Sequence, residues 1–239
     1  MTLTRALVAV NILIYIAEMM TGGDSDGRLI RDYALVPLAV TTYGEWWRLF
    51  SAAFLHGSIP HVALNMLALY QVGGVVENSL GRFRFGILYL CGIIGSSILV
   101  VVFADPRSWT VGASGAIFAL FGALVAIGLQ LPYGGMDLVR SVSGIIAVNL
   151  IFTFLAPGIS WQAHIGGLLT GFVVGLVLFA IPSQRKTNII ARMRREAADR
   201  EPVPVAAGAL DLAHDPQAIE TIEQPPESGP GTREPGGRA

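Results

Sequence analysis

Four side chains in this 239-residue sequence have types and spacings suited to acyl-transfer chemistry. Ser114 lies in VGASGAIFAL (Val111 to Leu120), between small residues and just ahead of an apolar run. His164 lies in SWQAHIGGLLTG, and His61 and Asn65 stand four apart in HGSIPHVALNM. A serine hydroxyl becomes a nucleophile when an adjacent base takes its proton, and a histidine near its ordinary pKa of about 6.5 is such a base at neutral pH. An i, i+4 pair presents two donors on one helical face, where they can hold the negative charge that develops on an attacked carbonyl oxygen. Each residue also has a plainer reading. Ser114 can be a helix N-cap, a role serine fills well. His164 can bridge two helices, and His61 with Asn65 can be a polar pair joining spans. Phe118, one turn after Ser114, can stack on the imidazole or be an ordinary core residue. The order Gly112-Ala113-Ser114-Gly115, with no strand before it, does not fit a strand-to-helix nucleophile elbow.

The solvent that must surround these groups follows from composition. The chain is 53% hydrophobic and 14% charged, against roughly 25% charged in soluble domains. Its one cysteine, Cys91, excludes an intrachain disulfide and a cysteine metal cluster. A bilayer core of about 30 Å takes around 20 apolar residues of helix. Six stretches approach this: about Ala6 to Met20, Ile59 to Val76, Phe85 to Phe103, Ser114 to just before Pro132, Leu138 to Leu155, and Ile159 to Ile181. The first lacks a convincing cleavage site and reads as a retained helix.

Basic residues set the expected orientation. With the N-terminus inside, Arg5, Arg82, Arg84, Arg140 and the cluster Arg185, Lys186, Arg192, Arg194 and Arg195 lie on the inner side, and Arg28, Arg31, Arg48 and Arg107 on the outer. That excess places both termini in the cytoplasm. Residues 1–184 are then a six-helix membrane domain and 185–239 a cytoplasmic tail. Its Thr187 to Arg200 form a basic surface helix. From Glu201 onward it is rich in Pro, Gly and Glu and expected to be disordered, with His214 idle there.

In this topology the second, fourth and sixth spans all enter from the outer face, each with its polar residues near that entry. Ser114 to Gln130 measures roughly 25 Å as a helix, short of the hydrocarbon thickness. Thr110 to Ala113 must therefore be non-helical backbone at membrane depth, which survives only inside protein or beside a wet cavity. A water-accessible cavity above Ser114 is expected. Gly167 and Gly171 share a stripe with His164 and let another helix approach closely, with Gly115 and Gly122 as counterparts on the fourth span. Of the acids, only Glu18 and Glu77 come near the spans, each by a helix end, and none is three or four residues from His164. The reading is a Ser–His dyad with the imidazole oriented by packing.

These residues resemble the rhomboid intramembrane serine proteases. The matching text is YALVP (Tyr33 to Pro37), EWWRLFSAAFLHGSIPHVALNM (Glu45 to Met66), GGVVENSLGRFRFGILYL (Gly73 to Leu90), VGASGAIFAL and AHIGGLLTG (Ala163 to Gly171), in order over about residues 33 to 178. The resemblance implies an all-α rhomboid fold of six transmembrane helices with the active site opening outward. It implies that Ser114 is the nucleophile, that His164 is the base, and that His61, Asn65 and the Ser114 N–H form the oxyanion hole. Gly112, Gly115, Gly167 and Gly171 are supporting positions. Trp47 and Arg48 match a structural pair in the first outer loop, His56 an outer histidine with a supportive role, and Glu77 and Gly81 the turn between the second and third helices. Phe118 stands where members carry tyrosine, which keeps stacking and removes any hydroxyl bond.

The expected partners are single-span or polytopic membrane-protein substrates and the lipid bilayer, with no nucleic acid, metal or other cofactor. The absence of a long organelle presequence points to a bacterial plasma membrane. A rhomboid-like pseudoprotease would lack the serine or the histidine, and both are present. A small transporter would carry polar positions through to the inner face, where only Asn149 in the fifth span stands apart.

Overall fold

Hydroxyl residues start several of the helices. In the computed structural model, which describes residues 1–23 and 27–198, Thr2 accepts the Arg5 N–H at the start of α1 (Leu3–Met20). Ser58 accepts the His61 N–H at α5 (Ile59–Leu80), and Ser160 the Ala163 N–H at α9 (Trp161–Ala180). Each satisfies one donor that a helix start otherwise leaves open. Between α1 and α5 lie three short helices, α2 (Arg28–Tyr33), α3 (Pro37–Tyr43) and α4 (Arg48–Ser51), and a 3-10 turn at Ala52–Phe54. The remaining helices are α6 (Arg82–Phe103), α7 (Ser114–Gln130), α8 (Gly135–Leu155) and α10 (Gln184–Ala198). Among the described residues there is no β-strand, only an isolated antiparallel bridge between Leu35 and Thr110. The chain divides into Met1–Arg195 and Glu196–Ala239. The expected disorder from Glu201 and the idle His214 lie outside the described residues.

Five helices, α1, α5, α6, α8 and α9, are long and apolar enough to cross a bilayer, and α7 is shorter at 17 residues. The short helix is the one that the length from Ser114 to Gln130 anticipates. It is also the central one. Helices α5, α6, α8 and α9 all pack on α7, and every residue from Gly115 to Leu124 is buried. Gly115, Ala116, Ala119, Gly122 and Ala123 make this possible, because small side chains let neighbouring backbones approach from several directions. The outer helices carry the opposite pattern. On α8, Ile145, Val148, Ile151, Phe152, Phe154 and Leu155 are exposed, an apolar surface far larger than water tolerates and one that lipid covers.

The segment between α1 and α5 is held by backbone carbonyls and one guanidinium. Arg48, 8% exposed, donates from Nη1 to the carbonyls of Arg31 (3.0 Å) and Ala34 (2.7 Å) and pairs through Nε with Glu45. Trp47 donates its indole N–H to the Asp32 carbonyl at 3.4 Å. The Ser97 hydroxyl of α6 donates to the Leu49 carbonyl at 2.7 Å. Leu35 and Thr110 exchange N–H bonds of 3.0 and 2.9 Å, tying this segment to the approach to α7.

At the other end of the bundle, Glu77 holds the start of α1. Its carboxylate accepts the N–H groups of Leu3 and Thr4 (2.8 Å each) and the Thr4 hydroxyl (2.7 Å). Leu3 and Thr4 open α1, where free N–H groups and the helix dipole favour a negative charge. Glu77→Ala is expected to cost about 1–3 kcal/mol, the penalty for leaving buried donors unpaired, read as a lower unfolding midpoint in detergent. Ser79→Ala, on the exposed side of the same turn, should leave that midpoint unchanged.

Candidate active site

The backbone turns sharply just before Ser114. Gly112 has φ +123°, a conformation that glycine adopts without the steric cost other residues bear. Its N–H donates to the Ala52 carbonyl at 2.9 Å. Thr110 to Ala113 are non-helical as expected; Thr110 pairs with Leu35 through its N–H and carbonyl, and the Ala113 carbonyl accepts the Ile117 N–H. Ser114 is the first residue of α7, and no side-chain hydrogen bond caps this helix. The N-cap reading of Ser114 therefore fails: its hydroxyl serves no cap, and it is only half-buried.

The second wall is α9. Gly167 packs so closely on α7 that an added Cβ would fall inside the Gly115 carbonyl oxygen, and Gly171 stands in the same relation to Ala119. This contact lets His164, one turn before Gly167 and 8% exposed, lie over α7. Its imidazole stacks on Phe118 with ring centroids 4.1 Å apart and planes 14° from parallel. Both readings of Phe118 hold: it stacks on the imidazole and, 3% exposed, is part of the apolar core.

The third wall is the start of α5. His61 is half-buried and reaches over Gly112: a Cβ there would stand 2.7 Å from His61 Nε2 and 3.7 Å from Ser114 Oγ. The bare glycine thus leaves a space that the imidazole and the hydroxyl share. Asn65, one turn along, donates one amide hydrogen to the His61 carbonyl at 3.0 Å, which leaves the second free. His56 lies behind His61, its ring edge-on with centroids 5.2 Å apart. Burial, with the His61 ring alongside, pushes the His56 imidazole down to about 3, so it is neutral at physiological pH.

Ser114, His164, His61, Asn65, Phe118 and Asn149 all line one cavity of about 500 Å³. Gly112 and Gly115 line it too, whereas Gly167 and Gly171 form the helix contact behind it. Trp47 and Arg48 lie apart, in the segment between α1 and α5. Asn149 thus lines the same cavity as the other polar groups. Among the hydrogen bonds of the described residues, none joins Ser114 to His164. Such bonds are often long in a resting site and tighten when substrate binds.

One residue escaped the sequence reading, and another was seen without its partner. Thr153 of α8 places its hydroxyl 2.6 Å from His164 Nδ1, so the imidazole is not oriented by packing alone. The pair Asn149 and Thr153, four apart in an otherwise apolar span, was the available signal. Glu18, 1% exposed, accepts the His56 N–H on both carboxylate oxygens at 3.0 and 3.1 Å, anchoring the loop that leads into α5.

The Rhomboid domain family model matches residues 43–181. Rhomboid protease GluP of Bacillus subtilis is 35% identical over 74% of this chain and 35% of its own length. RHOMBOID-like protein 4 of Arabidopsis thaliana is 40% identical over 58% of this chain and 35% of its own. RHOMBOID-like protein 6, mitochondrial, of the same plant is 32% identical over 75% of this chain and 69% of its own. The chain therefore spans about a third of the length of the first two of these relatives.

Proposed function

The chain belongs to the rhomboid family, and from that premise we propose that it is an intramembrane serine endopeptidase that cuts transmembrane-helix substrates near their extracytoplasmic ends. The observation that carries this reading is the convergence of Ser114, His61, Asn65 and His164, from three helices, on one cavity. Helices α1 and α5 to α9 are the six spans, with both termini cytoplasmic. Residues 1–184 are the membrane domain and 185–239 a cytoplasmic tail that opens on the basic helix α10. The setting is a bacterial plasma membrane.

The substrates are single-span or polytopic membrane proteins. A substrate helix enters from lipid and unwinds, because a helical peptide bond is shielded by its own hydrogen bonds. Small or helix-breaking residues near the cut favour that step. His164 takes the Ser114 proton as the hydroxyl oxygen attacks the exposed carbonyl. The oxyanion is met by His61, by the free Asn65 amide hydrogen and by the Ser114 N–H, which has no partner within its own helix. His164 then passes the proton to the departing amine, and water hydrolyses the acyl-enzyme on the same base. No metal, nucleotide or other cofactor enters these steps.

The test is the purified full chain in liposomes with a single-span substrate, together with a serine-directed fluorophosphonate. The expected outcome is cleavage within the substrate's membrane segment and labelling at Ser114. Cleavage with the label on another residue would remove Ser114 from the mechanism. Asn65→Ala is expected to lower kcat about 10²–10³-fold, the usual loss for one oxyanion donor. A smaller effect confined to KM would assign Asn65 to binding.

A further inference from the structure

Thr153 lies on α8, 4% exposed, and its hydroxyl oxygen makes two short contacts. One is to the carbonyl of Asn149, a turn earlier on the same helix, at 2.8 Å. The other is to Nδ1 of His164 on α9, at 2.6 Å. Each contact needs one proton between its heavy atoms, and a hydroxyl supplies only one. A carbonyl has no proton to give, so the hydroxyl proton goes to Asn149. The proton in the other contact must then come from the imidazole. The opposite assignment, with the hydroxyl donating to a bare Nδ1, would leave oxygen lone pairs of Thr153 and Asn149 facing each other at 2.8 Å in a partly buried site, which is unfavourable.

We propose that Thr153 is a positioning residue: its hydroxyl accepts the Nδ1–H of His164 and holds the imidazole in the tautomer whose Nε2 is free to take the Ser114 proton. This rests on the protease reading for its consequence, but the tautomer stands on the two distances alone. Stacking on Phe118 fixes the plane of the ring and leaves undecided which nitrogen carries the proton. The Thr153 bond supplies that choice. A carboxylate usually plays this part in serine hydrolases. Here no acid is near, and the only other titratable group among the cavity-lining residues is His61. A neutral hydroxyl does the orienting without burying a charge in the bundle.

The test uses the full chain in lipid nanodiscs, with ¹⁵N-labelled histidine and the His164 signal identified by its loss in His164→Gln. In the wild type, Nδ1 of His164 is expected to carry the proton and Nε2 to be bare. Thr153→Ser keeps the hydroxyl and should preserve both this pattern and kcat. Thr153→Val keeps the shape without the acceptor. It should give a mixture of tautomers and about a tenfold lower kcat at unchanged KM, the rate equivalent of one neutral hydrogen bond. A wild-type His164 protonated on Nε2 would overturn the proposal, as would a Thr153→Val chain with the wild-type tautomer and kcat. If Thr153→Val fails to fold, the wild-type and Thr153→Ser spectra still decide. A wild type that shows the Nδ1–H tautomer yet neither cuts nor takes the fluorophosphonate would refute the protease reading and uphold the hydrogen bond.

Discussion

Ser114→Ala is expected to abolish cleavage of a single-span substrate, with kcat falling by roughly 10⁴-fold or more, while the protein keeps its wild-type unfolding midpoint. Loss of a nucleophile or its base removes the whole covalent route, and such losses are not additive, because the residues act as one unit. His164→Gln should therefore fall to the same floor, and the double variant no lower. Stability should be spared because the Ser114 hydroxyl makes no capping bond and is half-buried beside a cavity. This separation gives the experiment its power. A serine kept for packing or capping would lose stability when truncated and leave the rate alone. Substrate processing assayed beside thermal unfolding in the same detergent decides between the two. Undiminished cutting by Ser114→Ala would remove Ser114 as the nucleophile.

The parts of this site that were legible in the sequence are those set by local geometry. The start of α7 at Ser114 followed from a glycine and small residues placed before an apolar run, and its 17 residues gave its shortness directly. The close approach of α9 followed from glycines on the stripe of His164. Helix ends were less legible where polar residues interrupt an apolar run without breaking the backbone ladder. The second span was expected to stop near Val76, yet α5 continues to Leu80, because Glu77 turns inward to the start of α1. The first was expected from Ala6, yet α1 begins at Leu3, where Thr2 caps it. The sixth begins later than Ile159, at Trp161, because Ser160 caps it. Least legible were contacts decided by how one helix rotates against another. Thr153 and Asn149 share a face by spacing, but nothing in the spacing says that this face meets His164. Glu18 was visible as an acid near a helix end, and its His56 partner lies 38 residues away.

Gly167→Ala is the second large effect expected, and it tests the packing that brings the two helices together. The added Cβ would overlap the Gly115 carbonyl oxygen and crowd its Cα. Both are backbone atoms of a fully packed helix, so no side chain can swing away to relieve the clash, and α9 must move off α7. Overpacking of this kind costs about 1–3 kcal/mol. His164 lies one turn before Gly167 and Ser114 directly precedes Gly115, so the displacement falls on the proposed catalytic pair. A misplacement near 1 Å can cost about 100-fold in rate. Gly171→Ala makes the same clash with Ala119 one turn deeper. It should cost similar stability but less activity, because the strain enters farther from the imidazole. Gly74→Ala and Gly144→Ala meet no atom within 4 Å and, being helical, should be neutral or slightly stabilising. The unfolding midpoint and kcat, measured for all four variants, separate a helix contact that positions the proposed dyad from one that merely holds the bundle. Wild-type kcat in Gly167→Ala would show that the reaction does not depend on this approach of α9 to α7.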